Sequence, residues 1–189
     1  MAERPLPGLI LAAGGGLRYG GPKALARTAA GEPWLHRAAD ALSAGGAQPV
    51  LAVLGASAEE ARALLPGGVS AVVAQDWADG IGASLAAGLA ALEADHEDAA
   101  AAVVTLVDLP GLPPAAVRRV AAGALSPSVL RQAVYEGRPG HPVLLGRAHW
   151  APLRAALTGD AGARQYLVAN GVTEVECGDL WPGEDVDRR

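Results

Sequence analysis

Leu11-Ala12-Ala13-Gly14-Gly15-Gly16-Leu17-Arg18-Tyr19-Gly20-Gly21-Pro22-Lys23 begins inside the apolar run Leu9 to Ala13 and ends on a lysine. A short buried strand therefore empties into a glycine-rich loop holding two cations, Arg18 and Lys23. Glycine lets backbone N–H groups approach an anion closely, consecutive N–H groups form a nest for one, and the two cations add charge-assisted hydrogen bonds. Five glycines in the eight positions from Gly14 to Gly21 point to a triphosphate cradle. Two better-known phosphate loops do not fit. Gly20-Gly21-Pro22-Lys23 lacks the Gly-Lys-Ser/Thr of a P-loop. The glycines at 14, 16 and 20 miss the dinucleotide spacing, and the next strand-like run, Pro49 to Leu54, ends at Gly55 with no acid to hold a ribose.

Outward from the loop, short apolar runs alternate with longer amphipathic ones. Leu9 to Ala13 precedes a helix over Trp34 to Ala44. Val50 to Leu54 precedes a helix over Ser57 to Leu65, where Ser57 and Glu60 have capping-box spacing. Val69 to Ala74 precedes a helix from Ile81 to Glu93, and Ala101 to Val107 precedes one from Pro114 to Ala122 that starts on a favourable proline. Near-continuous apolar strands alternating with helices predict a parallel sheet covered on both faces. After Ser126 the rhythm changes. Val129 to Tyr135 and His141 to Leu145 flank the turn-rich Glu136-Gly137-Arg138-Pro139-Gly140, which predicts a hairpin-like excursion. Helices follow over Arg147 to Leu157 and from Asp160, a good N-cap, to Asn170-Gly171, before a last strand at Val172 to Cys177. The expected fold class is α/β: three layers with a mostly parallel, Rossmann-like sheet and a small antiparallel excursion in the C-terminal half.

The 189 residues are near the length of one domain, and the net charge of -5 provides no broad basic field for nucleic acid. A small anionic ligand in a local basic loop fits better. The lone Cys177 cannot form an internal disulfide, and no leader-like start is seen, so a cytoplasmic location is the expectation. The longest apolar run, Ala99 to Val107 interrupted by Thr105, is far short of the roughly twenty residues of a membrane span.

Ligands of an open parallel sheet bind outside the carboxyl ends of its strands, which gathers the loop Gly14 to Lys23, the segment Gln75 to Ser84 and Asp108. Asp108 directly follows the run Val103 to Val107, and a carboxylate there suits Mg²⁺; a turn aspartate ahead of Pro110 is the plain alternative. Magnesium takes one or two carboxylates, so a second acid is expected, and the tail offers Asp185 and Asp187. Arg18 can pair two phosphate oxygens, while Lys23 can neutralise charge on the α-phosphate and leaving pyrophosphate. A solvated arginine and lysine in a flexible loop are the alternative. Gly80-Ile81-Gly82-Ala83-Ser84 opens a helix with free N–H groups, although Ser84 also reads as an ordinary first-turn residue. Tyr19 and Trp77 read as packing or lid residues, and His36 and His149 as satisfied histidines. No spacing suggests zinc, and no serine sits in a nucleophile elbow.

The loop resembles the signature Leu-Ala-Ala-Gly-x-Gly-x-Arg-x-Gly…Pro-Lys of the small nucleotidyltransferases, matching at Leu11 to Gly14, Gly16, Arg18, Gly20, Pro22 and Lys23. Asp76 to Leu89, Val107-Asp108-Leu109-Pro110, Gly140-His141-Pro142-Val143-Leu144 and Gly159 to Arg164 resemble, in the same order, the molybdenum cofactor cytidylyltransferase branch of the molybdopterin nucleotidyltransferase-like group. The resemblance covers nearly the whole chain. It implies a single nucleotidyltransferase domain over residues 1–189, with a nucleotide-binding half over about 1–110 and an acceptor half over about 111–189. It implies that Leu11, Ala12, Ala13, Gly14, Gly15 and Gly16, with Arg18, Lys23, Gly80, Gly82 and Ser84, hold the nucleotide. Arg18, Lys23 and Asp108 are the implied catalytic residues, Asp108 and Asp187 the metal ligands, and Pro110, Gly140 and His141 the acceptor contacts. CTP, Mg²⁺ and molybdenum-bearing molybdopterin are the implied substrates and cofactor, with a molybdoenzyme or its chaperone receiving the product. One departure stands out. The family's late Asp-x-Asp-Thr-Pro-Glu-Asp begins here as Asp185-Val186-Asp187 but continues as Arg188-Arg189; Asp187 is favoured over Asp185 as ligand, against a solvated tail charge. Leu11-Ala12-Ala13-Gly14 differs from the Leu-Ala-Gly-Gly of the guanylyltransferase branch, which argues against GTP. A sugar-phosphate acceptor and a non-catalytic nucleotide-binding protein stay open as alternatives.

Overall fold

The computed structural model describes residues 5–159 and 162–187. Its strands are β1 (Gly8–Ala12), β2 (Val50–Leu54), β3 (Val69–Val73), β4 (Ala101–Leu106), β5 (Leu130–Tyr135), β6 (Arg138–Gly146) and β7 (Thr173–Glu176). Its helices are α1 (Trp34–Ala44), α2 (Ala58–Arg62), α3 (Ile81–Asp95), α4 (Pro114–Ala121), α5 (Trp150–Ala156) and α6 (Arg164–Ala169). The seven described strands form one sheet in the order β3-β2-β1-β4-β6-β5-β7. Parallel pairing joins β1 to β2 and β4, β2 to β3, and β5 to β7. Only β6 runs against its neighbours β4 and β5, so the expected antiparallel excursion is a single reversed strand inside the sheet.

Every residue of β1 and β2 is buried, which explains why those strands read as unbroken apolar runs rather than alternating ones. One face packs against α1, α2 and α4 through Leu35, Leu42, Ala61, Val117 and Val120. The other packs against α3, α5 and α6 through Leu85, Leu89, Trp150, Leu153 and Leu167. Gly88 lets α3 lie directly on the sheet: a Cβ there would sit 2.6 Å from a Leu9 methyl and 2.9 Å from a Val53 methyl. The fully buried Trp150 keeps its indole N–H satisfied by donating to the Leu145 carbonyl at 2.9 Å.

Four local expectations change. The Ser57 capping box does not form: Ser57 has φ 56° and ψ 39° and makes no capping hydrogen bond, because a cap hydroxyl reaches the helix amides from an extended backbone. The helix behind it is correspondingly short. The turn expected over Glu136 to Gly140 contracts to Glu136-Gly137, both at positive φ (53° and 75°), as a tight hairpin turn matched to strand twist requires; β6 accordingly takes Arg138 to Gly140. The helix expected from Arg147 opens with a 3-10 turn over Arg147–His149 before α5 begins. The N-cap assigned to Asp160 lies outside the described residues, and α6 starts at Arg164.

Candidate active site

The loop after β1 is ordered by its own backbone. The Gly16 carbonyl accepts the N–H groups of Tyr19, Gly20 and Gly21 at 3.0, 2.9 and 3.1 Å. Gly16 has φ +60°, and a Cβ on it would run into the Gly21 carbonyl, so glycine is required there by the fold. Tyr19 is buried and tilts against Trp34 of α1, with ring centroids 5.2 Å apart. Packing is thus the role of Tyr19 in this structure. Gly14 differs from Gly16: it has no positive φ, and a Cβ on it would meet nothing within 4 Å. A Cβ on Gly15 would find only the Trp77 ring, at 3.4 Å and beyond. Nothing among the described residues demands glycine at 14 or 15, and such freedom suits a ligand that approaches the backbone closely.

Lys23 opens a 3-10 turn after the loop, and its ammonium donates to Asp108 Oδ2 and to Asp187 Oδ1, each at 2.8 Å. Arg18, extended into solvent, reaches Asp187 Oδ2 at 3.9 Å. Burial alone pulls the Lys23 pKa down, but the hydrogen bonds and charges of Asp108 and Asp187 outweigh it and leave the pKa raised. Lys23 is therefore a cation throughout the neutral range.

Asp108 stands just past β4, where Val107 still donates to the Leu11 carbonyl at 3.1 Å. The tail folds back onto it. Val186 N–H donates to the Asp108 carbonyl at 3.0 Å, Val186 packs on the α1/α4 layer, and Trp181 sits edge-on to Tyr135 with centroids 5.4 Å apart. These anchors bring Asp108, Asp185 and Asp187 together so that one oxygen from each lies within 4.8 Å of the others. Sequence reasoning preferred Asp187 over Asp185; the structure gathers both.

Three carboxylates are offset by Lys23 and the distant Arg18, and the buried Asp108 Oδ1 has no hydrogen-bond partner. An all-oxygen donor set with net negative charge and an orphaned oxygen fits a hard divalent cation.

At the start of α3, Gly80 has φ 115°, the Gly82 N–H donates to the Gly159 carbonyl at 3.3 Å, and Ser84 is buried. Of the acceptor candidates, Pro110 faces α1, where its carbonyl accepts from Arg37 Nε at 3.2 Å. Gly140 and His141 lie elsewhere, lining a cavity with Leu11, Ile81, Gln132 and Arg164. The structure therefore does not bring Pro110 into the space that Gly140 and His141 share. The Gly140 carbonyl accepts from Gln132 Nε2 at 3.2 Å, and the His141 carbonyl accepts from the Tyr135 hydroxyl at 2.5 Å. Desolvation lowers the His141 pKa to about 4, so the imidazole is neutral at pH 7. Gln132 carried no sequence signal for this grouping, because a bulge in β5 places it, whereas Arg164 ends the Gly159 to Arg164 stretch that carries part of the family resemblance. Two further histidines have partners as expected: His36 pairs with the Leu64 carbonyl at 3.0 Å, and His149 with the Tyr166 hydroxyl at 3.0 Å and the Ser128 carbonyl at 3.2 Å.

A family model described as the MobA-like NTP transferase domain matches residues 8–174. Nicotine blue oxidoreductase of Paenarthrobacter nicotinovorans is 36% identical over 202 aligned residues, covering 99% of this chain and 96% of that protein. The crystal structure of Rv0371c from Mycobacterium tuberculosis H37Rv superposes with a TM-score of 0.81 at 28% identity, covering 98% of this chain and 94% of that one. A complex of Rv0371c with manganese superposes with a TM-score of 0.72 at 26% identity, covering 92% and 88%. Among the described residues, no helix is long and apolar enough to cross a membrane.

Proposed function

The chain belongs to the MobA-like NTP transferase family, and from that membership we propose that it transfers a nucleoside monophosphate from a triphosphate to a small phosphorylated acceptor, releasing pyrophosphate. The observation that carries this reading is the three-carboxylate cluster with its orphaned Asp108 oxygen and bridging Lys23, next to a loop whose Gly14 and Gly15 leave room for a ligand. That a relative, Rv0371c, forms a complex with manganese adds support for a divalent ion. Mg²⁺ is the ion proposed here, held by Asp108 and Asp187 with Asp185 beside them, and when bound it supplies positive charge against the phosphates.

In this reading the backbone from Leu11 to Gly16 lies against the triphosphate, Arg18 pairs two of its oxygens, and Gly80, Gly82 and Ser84 face the nucleoside. Lys23 leaves its carboxylate partners to meet charge building on the α-phosphate. A phosphate oxygen of the acceptor attacks the α-phosphorus in line; the bond from phosphorus to the bridging oxygen breaks, and pyrophosphate leaves with the electron pair. No covalent enzyme intermediate is needed. Removing one stabilising charge from such a site costs about 3 kcal/mol, roughly a hundredfold in rate.

CTP is the favoured triphosphate, since Ala13 stands where the guanylyltransferase branch has glycine, and molybdenum-bearing molybdopterin is the acceptor that the sequence resemblance favours. A cytoplasmic enzyme handing its product to a molybdoenzyme or its chaperone follows from that choice. A second reading, redox chemistry, is favoured by the name of the 36% identical relative; against it, β2 ends at Leu54 and Gly55 with no acid for a dinucleotide ribose.

The deciding experiment measures pyrophosphate release from CTP, GTP, ATP and UTP, with Mg²⁺ or Mn²⁺ and molybdenum-loaded molybdopterin, for wild type and Asp108→Ala. Release from CTP that Asp108→Ala abolishes is the expected result. Silence with every triphosphate, together with oxidation of NADH or NADPH, would replace transfer by the redox reading.

A further inference from the structure

Tyr135 ends β5 and is buried in the layer under α1 and α4. Two distant parts of the chain close on it, each by two contacts. From the tail, Trp181 stands edge-on to the ring with centroids 5.4 Å apart, and a Cβ on Gly183 would fall 2.4 Å from ring atom Cγ. From β6, a Cβ on Gly140 would lie 2.8 Å from Cε2, and the His141 carbonyl accepts from the Tyr135 hydroxyl at 2.5 Å. Burial raises the phenol pKa above its ordinary 10, so the hydroxyl keeps the proton it donates. Trp181 in turn lies on the segment after β4, where a Cβ on Gly111 would meet its indole nitrogen at 2.8 Å, three residues past Asp108.

Filling the core would ask less of this residue. A buried ring can be packed by the side chains of its neighbours, yet Gly183 and Gly140 leave no room for a side chain, so the backbones of the tail and of β6 lie on the ring itself. A close-packed interior has few voids to absorb a displacement, and a shift of either backbone therefore reaches the ring. The hydroxyl adds what phenylalanine would lack, a directed bond to β6. Asp185 and Asp187 stand two and four residues beyond Gly183, while Gly140 and His141 wall the cavity beside α3. Arg138 also reaches from β6 to the tail, donating to the Pro182 carbonyl at 3.3 Å, but that bond is exposed and competes with water.

We infer that Tyr135 is a positioning residue that couples the carboxylate-bearing tail to the Gly140-His141 wall, its ring holding the tail and its hydroxyl holding β6. Movement of Asp185 and Asp187 onto a divalent ion shifts the wall through Tyr135, and by reciprocity a ligand pressed against the wall tightens the hold on the ion. That the ion is a cofactor and that the wall receives the acceptor rest on the transfer reading; the link between tail and wall does not.

The test titrates Mg²⁺ into the full chain and follows backbone amide NMR signals, those of Asp185 and Asp187 for binding and those of Gly140 and His141 for the response. In wild type both pairs should move with the same dissociation constant. Tyr135→Phe keeps the ring and loses the hydroxyl, so the Mg²⁺ dissociation constant should stay within about twofold of wild type while the Mg²⁺-induced shifts of Gly140 and His141 shrink about threefold or more. Gly183→Ala pushes the tail off the ring, and the Mg²⁺ dissociation constant should rise about tenfold. Arg138→Ala removes only the exposed bond and should change neither quantity. A tyrosine that merely filled the core would lose binding and response together. Undiminished Gly140 and His141 shifts in Tyr135→Phe, their loss in Arg138→Ala, or an unchanged Mg²⁺ affinity in Gly183→Ala would each overturn the coupling, and a wild type that binds no Mg²⁺ would remove the metal assignment along with it. Pyrophosphate release separates this inference from the transfer reading. Release with Gly140 and His141 unresponsive to Mg²⁺ leaves transfer and removes the coupling, whereas the response without release from any triphosphate leaves the coupling and removes transfer.

Discussion

The loop from Gly14 to Lys23 and the tail from Trp181 to Asp187 deliver opposite charges to the same place by different means. The loop is shaped locally: one carbonyl gathers three amides, and a tyrosine five residues or fewer from every glycine moors it to α1. The tail has no such internal order. It is held by contacts far away in sequence, Trp181 on Tyr135 and Val186 on the Asp108 backbone. Lys23 joins them, bonded at once to the strand-end Asp108 and the tail Asp187. A cation-bearing loop can therefore be recognised from its own residues, whereas a carboxylate-bearing tail is recognisable only with its anchors.

Breaking the junction should have the largest effect. Asp108→Ala takes a proposed metal ligand and a partner of Lys23 away together, and pyrophosphate release should drop at least a hundredfold, about 3 kcal/mol in barrier; a drop of less than tenfold would detach both segments from the chemistry. His141 provides a control that touches neither. Its folded pKa of about 4 lies below its ordinary 6.5, so the unfolded chain binds more protons as the pH falls below about 6.5. Stability should decline between pH 6.5 and 4 and level off below, with a loss of about 2 kcal/mol from pH 7 to 5. His141→Gln should flatten that slope in denaturant titrations and leave metal binding at pH 7 unchanged.

Smaller changes sharpen the contrast itself. Trp181→Ala frees the tail without altering any charge, and Mn²⁺ affinity, read by calorimetry, should weaken about tenfold while nucleotide binding without metal stays the same. Gly14→Ala should do the reverse. Since its Cβ meets nothing, thermal stability should stay within about 0.5 kcal/mol of wild type, while the melting-temperature rise produced by CTP shrinks. Gly16→Ala, by contrast, should lower stability with or without nucleotide, because its Cβ strikes the Gly21 carbonyl.

The parallel half of the sheet was readable because β1, β2 and β4 are buried on both faces, which leaves an unbroken apolar signature between amphipathic helices. Boundaries failed where backbone conformation overrode residue preference, as at left-handed Ser57 and in the two-residue Glu136-Gly137 turn. Arg18, Lys23 and Asp108 could be picked out from local composition, and the structure brings all three to Asp187 or its neighbours. That Asp185 joins Asp108 and Asp187 was not legible, since it depends on Val186 donating to the Asp108 carbonyl. Nor was the separation of Pro110 from His141, since residues on opposite faces of a sheet carry no mark of that in their order along the chain.

The placement of the indoles has an optical consequence. Trp34 touches the moored Tyr19, Trp77 lies against Gly15, and Trp181 ties down the tail, whereas Trp150 is sealed in the interior. Three of the four tryptophans thus border the two segments that carry the charges, and the fourth is a built-in reference. Intrinsic fluorescence can therefore follow the arrival of a nucleotide or a metal ion without any attached dye.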